Sequence, residues 1–273
     1  MDPLDQVPIE DAVVDADEML ALLKSADPTQ VMIAARAFCE IEDARAVGPL
    51  LALLGAGCPM TRVSAAYALG RNIRAGKAAD GSGEDQANLD AAHGAGPQTA
   101  SPETASPETA SSEDVPDIVE ALIAQLRLDW SGYVRKGIVW ALGRSGDRRA
   151  LSPLLNALKT DIAAVRLWAA SALGQMPGLD FEASVKAMPP LIAAMRQDPV
   201  AVVRSNCAWS VGELCINLPS NVVYATAVDA LIETLVEDED MGVREDAKAA
   251  LLNLGDPRSL QMIEALQSEG LLW

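Results

Sequence analysis

VRKGIVWALGRSGD, residues 134–147, is the stretch on which the fold turns. An arginine opens a run of apolar and small residues and Leu-Gly follows. Gly146-Asp147 then supplies the glycine that closes a helix and the start of a link. The same unit recurs along the chain. It reads TRVSAAYALG at 61–70, VRLWAASALG at 165–174, VRSNCAWSVG at 203–212 and VREDAKAALL at 243–252. Arg62, Arg135, Arg166, Arg204 and Arg244 fill its arginine slot. A degenerate copy, QVMIAARAFC at 30–39, has Val31 there. Successive copies lie 31, 73, 31, 38 and 40 residues apart, the long interval being one repeat plus an insertion.

A second helix precedes each copy, over 15–24, 47–54, 115–128, 150–159, 184–196 and 224–237, and a last half-repeat at 259–267 acts as a C-terminal cap. Two helices every ~30–45 residues mark HEAT-like arrays, so the expected fold is all-α, a right-handed α-solenoid of about six helix pairs. Asp-Pro at 27–28, 198–199 and 256–257 restricts the residue before proline and is expected to start a new helix each time. At about 100° per residue the motif helices sort into columns. Seven places after the arginine stand Leu69, Leu142, Leu173, Val211 and Leu251. Six after stand Ala68, Ala141, Ala172, Ser210 and Ala250, and three after stand Ala65, Ile138, Ala169, Cys207 and Ala247. These columns form the expected buried stripe, whose small residues let neighbouring helices approach closely. Each pair leaves an apolar face uncovered, so stability comes from stacking.

Composition agrees. Half of the 273 residues are apolar but only 4% are aromatic, with alanine and leucine dominant, which favours packed helices. No apolar run reaches the ~18 residues of a membrane span. The acidic start, Met1 to Glu18, lacks the basic region of a signal peptide, so a cytoplasmic protein is expected. Cys39, Cys58, Cys207 and Cys215 are scattered, with no CxxC, and read as reduced thiols. Cys207 takes a small buried position and is expected in the core. Cys58, in the turn GAGCPM before a motif helix, is placed where a helix N-terminus lowers a thiol pKa, although an ordinary turn cysteine is the plainer reading. One histidine, His93, leaves little room for histidine-based catalysis or metal ligation; no catalytic residue and no metal site are expected.

The net charge of −18 is uneven. Residues 1–18 hold seven acids and 80–114 hold eight, with no base in either stretch. The remaining 24 acids face 21 bases. No basic stripe for nucleic acid is present. Residues 1–14 therefore read as a flexible acidic N-terminus, 15–74 as repeats one and two, and 115–273 as repeats three to six with the cap. Residues 75–114, with SPETA repeated at 101–105 and 106–110, read as a disordered acidic insertion too poor in large apolar groups to offset its ordering entropy.

One column is a candidate for function. Five places after the arginine slot stand Arg36, Tyr67, Trp140, Ser171, Trp209 and Ala249, about 145° from the centre of the buried stripe. Gly70, Gly143, Gly174 and Gly212 lie on the same side. Aromatics beside glycines on the concave face would make a groove with rigid anchors and space for close backbone approach; packing between repeats is the alternative. The expected partner-binding residues are Tyr67, Trp140 and Trp209, with Lys136 and Arg144 from the helix of Trp140. Trp168 stands at the stripe's edge and reads as structural. Asp129, Asp198 and Asp238 each precede their arginine by six residues and Asp161 by five. These acids are expected to cap helices and pair with arginines of adjacent repeats, an Asp–Arg ladder down the stack.

The VR…ALG repeat followed by Gly-Asp resembles the HEAT-like repeats of the cyanobacterial phycobilisome-lyase family, over nearly the whole chain outside 1–14 and 75–114. The blocks DWSGYVRKGIVWALG (129–143), RSNCAWSVGELC (204–215) and LPSNVVYATAVDALIETLVEDEDMGVREDAKAALLNLGDPR (218–258) are more similar to cyanobacterial HEAT-repeat proteins that partner the A-type iron–sulfur carrier. The narrower resemblance implies a non-catalytic adaptor for that carrier, with an iron–sulfur cluster reached only through the partner. The broader one implies a bilin lyase subunit or bilin chaperone that acts on a phycobiliprotein. Neither carries a catalytic residue over to this chain.

Overall fold

The structure, a computed structural model, describes residues 15–79 and 117–270. They form thirteen α-helices and no strand. The first pair is α1 (Ala16–Leu22) and α2 (Pro28–Ala37), and the second is α3 (Val47–Leu53) and α4 (Pro59–Ala79). Beyond the insertion come α5 (Ile118–Leu128) with α6 (Gly132–Ser145), α7 (Leu151–Thr160) with α8 (Ala163–Gln175), and α9 (Phe181–Gln197) with α10 (Ala201–Ile216). The last pair is α11 (Val222–Glu237) and α12 (Met241–Leu254), and α13 (Pro257–Ser268) caps the end. Six helix pairs and a half-repeat follow the expected order. Helix α4 runs to Ala79, so the expected start of the insertion at residue 75 is too early by one turn. The flexible N-terminus of 1–14 and the disorder expected for 80–114 fall outside the described residues.

Local chemistry sets the helix ends. Asp15, Asp27, Asp117, Asp180, Asn221, Asp240 and Asp256 each accept an amide of the first turn through the side chain. Pro28 and Pro257 occupy the first helical position, as Asp-Pro predicts. Asp198-Pro199 behaves differently: Asp198 closes α9, and α10 begins only after Val200. Gly146 and Gly255 adopt φ of 62° and 64° to end α6 and α12, a left-handed turn that a side chain would strain.

The second helices, α2, α4, α6, α8, α10 and α12, pack one on the next in an inner layer, while the first helices touch more sparsely in an outer layer. The inner layer is the more closely packed of the two. The expected stripe is its packing face. Leu69, Leu142, Leu173, Val211 and Leu251 are fully buried, as are Ala65, Ile138, Ala169, Cys207 and Ala247. Asn72 is also fully buried and fully bonded. Its amide donates to the carbonyls of Phe38, Ile41 and Ala68, and its oxygen accepts the Asp43 N–H at 2.6 Å. It ties α4 to the turn between the first two pairs. No helix of the described residues is long and apolar enough to cross a membrane.

Candidate functional site

The inner face is assembled by contacts that repeat at each step. Arg62, Arg135, Arg166 and Arg204 lie in the turn edge of their repeats and reach Asp129, Asp161, Asp198 and Asp238 of the following repeat. Each pair is a two-pronged fork; for Arg166 and Asp198 the bonds are 2.6 and 2.8 Å. A further guanidinium N–H donates to carbonyls of the arginine's own turn, such as Arg204 to Asp198 O at 3.0 Å. The aspartates end the outer helices and hold the turn that follows: Asp129 accepts the Ser131 N–H and Asp198 the Val200 N–H. Burial pushes the Asp129, Asp198 and Asp238 carboxyls up, but the arginine forks and turn amides outweigh it and hold all three below the usual carboxylate range. The expected Asp–Arg ladder is therefore present in four rungs. Arg244 has no such aspartate among the described residues.

The glycine column corrects the sequence reading. Gly70, Gly143, Gly174 and Gly212 do not open a groove; the next helix of the inner layer fills the space. A methyl group placed on Gly143 would lie 2.6 Å from Ala172 Cβ and 3.0 Å from its Cα. One on Gly174 would meet Ser210 Cα at 2.9 Å, and one on Gly212 would meet Ala250 Cβ at 2.8 Å. At Gly70 the space is shared by Ala141 and the edge of the Trp140 ring. Glycine thus allows the close spacing of the inner helices and seats one aromatic.

The aromatic column itself stays half-exposed. Tyr67 and Trp140 meet across the junction of repeats two and three, with ring centroids 5.1 Å apart and planes tilted by 56°. Arg144 lays its guanidinium carbon 5.2 Å from the centre of the Trp140 ring, and its Nε donates to Gly70 O at 3.4 Å. Lys136 Nζ stands 5.0 Å from the centre of the Trp168 ring on α8. Trp140, Arg144 and Trp168 then line one cavity of about 120 Å³ with Gly143, Ser171, Gln175 and Pro177. Four of the five expected residues, Tyr67, Trp140, Lys136 and Arg144, thus share one place on the inner face. Trp209 does not join them. It is half-buried on α10 and forms no ring pair with a described residue. The column has Ser171 between Trp140 and Trp209, and that gap breaks the aromatic run.

The second wall of the site, Trp168, is the residue that sequence reasoning assigned to structure. Its position two places after the arginine is the missed signal, because the neighbouring inner helix brings that face beside Trp140. Trp130 and Tyr133, each 77% exposed, were also passed over. They belong to the stretch DWSGY on the turn edge, and Trp130 lies beneath the Arg62 guanidinium, 5.8 Å from the ring centre. The outer layer has its own clasp. Asp-x-Arg at 43–45, 147–149 and 256–258 pairs within each turn, and Arg45, Arg149 and Arg258 reach on to Asp17, Asp117 and Asp229.

The stack is continuous across the insertion. Helix α4 packs on α6, Arg62 pairs with Asp129, Tyr67 meets Trp140 and Arg144 reaches Gly70, all between residues on opposite sides of the inserted segment. The cysteines are spread over three environments. Cys207 is fully buried, as expected of a core thiol, and burial pushes its pKa far up. Cys215 and Cys39 are pushed up to about 12 and about 11 by burial. Cys58 is exposed, and amides of Thr61 and Met60 in the first turn of α4 lower its pKa.

The family profile described as HEAT repeats matches residues 119–212 and 188–270. No curated protein sequence matches the chain. Among solved structures, an engineered protein is 21% identical, with a TM-score of 0.58 over 88% of this chain and 98% of its own. A designed armadillo repeat protein in complex with the peptide (KR)4 is 17% identical, with a TM-score of 0.57 over 88% of this chain and 99% of its own. Computationally designed armadillo repeat proteins for modular peptide recognition align at 18% identity and a TM-score of 0.54, covering 88% and 99%. At these identities the likeness is one of fold. Paired helices stacked in two layers, an arginine–aspartate rung at four of the five steps and a profile match over more than half of the sequence agree: the chain belongs to the HEAT-repeat family.

Proposed function

We propose that the protein is a binding scaffold that holds a segment of a partner protein along its inner helix layer, with Trp140 and Trp168 as the anchors. The observation that carries this reading is the cavity between the two indoles. Half-exposed tryptophans on a rigid inner layer resemble the few residues that dominate interface energies. A volume of about 120 Å³ suits a single side chain, below the ~300–1,000 Å³ of typical small-molecule sites. At this cavity, size therefore favours a side chain of a protein segment over a whole bilin. The repeat architecture adds support, since armadillo proteins of similar fold were designed for peptide recognition. The (KR)4 peptide belongs to one such design; the cations of the present inner face call for a different occupant.

The partner we propose is an A-type iron–sulfur carrier, on the strength of the blocks at 129–143, 204–215 and 218–258. Size-exclusion chromatography of the two purified proteins, followed by titration calorimetry, tests this. A complex with the parent that is weakened by Trp140→Ala/Trp168→Ala supports the assignment. No complex, together with a visible absorption change on addition of bilin, would move the protein to the lyase class.

A further inference from the structure

Resting on the scaffold reading, we infer that the site on α6 and α8 takes an extended acidic segment of the pattern acid-x-apolar-x-acid. The starting point is how the chain disposes of its positive charge. Four arginines are held by the ladder, and Arg45, Arg148, Arg149, Arg196 and Arg258 pair with acids on the outer layer. Arg36, Arg127 and Arg244 lack an acidic partner among the described residues, as do Arg144 and Lys136. Only Arg144 and Lys136, however, sit on an indole without an ion pair.

A cation on a ring is held in place without being neutralised, so its donors stay available. Arg144 commits only its Nε to a protein acceptor, at 3.4 Å, which leaves both terminal amino groups. Lys136 keeps its ammonium donors. No acidic side chain lines the cavity beside them: Ser171 and Gln175 supply its polar wall. In a protein of net charge −18, two uncompensated cations at one aromatic pocket make a local site for carboxylates.

Spacing narrows the occupant. Lys136 and Arg144 are eight residues apart on one helix, a rise of about 12 Å along its axis at ~1.5 Å per residue. Their head groups lean to opposite neighbours, Lys136 to α8 and Arg144 to α4, so the charges are separated by at least about that much. An extended segment covers that span in about four residues at ~3.3 Å each. Residues i, i+2 and i+4 of such a segment point the same way. Carboxylates at i and i+4 would reach the two cations, and an apolar side chain at i+2 would enter the cavity between Trp140 and Trp168.

The test is selection of short random peptides displayed on phage against the full chain, followed by fluorescence anisotropy of the selected peptides. Enrichment of Asp or Glu four places apart around an apolar residue is expected. Lys136→Glu/Arg144→Glu should weaken the selected peptide by about tenfold or more, with an unchanged melting curve. Should that variant fold poorly, Lys136→Gln/Arg144→Gln gives the same comparison, with binding weakened and its salt dependence reduced. Acidic peptides whose binding survives both changes would place them elsewhere and overturn the inference. Selection of neutral or basic peptides lost in Trp140→Ala/Trp168→Ala would overturn it while leaving the scaffold reading intact. No enrichment at all would overturn both.

Discussion

The rung between Arg62 and Asp129 is the place where the stack can be broken most cleanly. Asp129 has no exposed side-chain surface, and Arg62 has 7%. The carboxylate accepts from Arg62 Nε at 2.6 Å, Arg62 Nη2 at 2.9 Å, Gln125 at 2.8 Å and the Ser131 N–H at 2.9 Å. Asp129→Ala removes the acceptor of all four bonds and strands a guanidinium that keeps the carbonyls of Ala56 and Gly57 and the face of Trp130. Breaking a buried pair by removing one partner costs about 3–5 kcal/mol, against about 0–1 for an exposed pair. Asp229→Ala, which breaks the exposed pair with Arg258, is the matched control. Stability of repeat arrays is a sum of repeat and interface contributions, so weakening one interface should also separate its two sides. Urea unfolding followed by helical circular dichroism should therefore change in two ways for Asp129→Ala. The midpoint falls, and residues 15–79 unfold in an earlier step than the rest, while Asp229→Ala tracks the parent. If Asp129→Ala unfolds in one step within about 0.5 kcal/mol of the parent, the rung does not hold the repeats together.

Other consequences follow from the packing face and the ladder. Leu142→Ala opens a cavity in a fully buried central position and should cost about 2–5 kcal/mol in a urea titration. Gly143→Ala should lower stability by about 1–3 kcal/mol in the same assay, because a methyl group 2.6 Å from Ala172 Cβ forces the inner helices apart despite the gain in helix propensity. The carboxyls of Asp129, Asp198 and Asp238 have folded pKa values below their unfolded value of about 3.9, so their contribution is complete above that value and lost as pH falls through the lowered ones. Melting temperature should hold from about pH 7 to 5 and drop below about pH 4, more steeply in the parent than in Asp129→Ala.

The fold was legible because each step of the stack repeats its chemistry. An arginine, a stripe of leucines and alanines and a closing Gly-Asp recur at a period that only stacked helix pairs can bury, and the stripe is buried where the columns put it. The ladder was legible because acid and arginine keep a fixed offset. Angles around one helix do not reveal which neighbour covers a face, however. That is why the glycine column read as an open groove when the next inner helix fills it. It is also why Trp168, two places after its arginine, read as structural although it faces Trp140 across the inner layer. Trp209 shares the column of Trp140 and lies two repeats away, so periodicity grouped residues that distance separates. Asn72 occupies a slot where other repeats have Ser145, Met176, Leu214 and Leu254; its role depends on carbonyls of an earlier turn that no column contains.

Binding and folding make opposite demands on Trp140 and Trp168, and one pair of measurements on Trp140→Ala/Trp168→Ala separates them. A titration with the purified A-type carrier and a melting curve are taken on the same preparation. If the two indoles anchor a partner segment, binding weakens by about 2 kcal/mol or more, roughly thirtyfold, while the melting curve moves little. If they serve mainly to pack α6 on α8, the melting curve falls sharply and the variant, kept cold enough to stay folded, binds as the parent does. That second result would contradict the scaffold account at its centre.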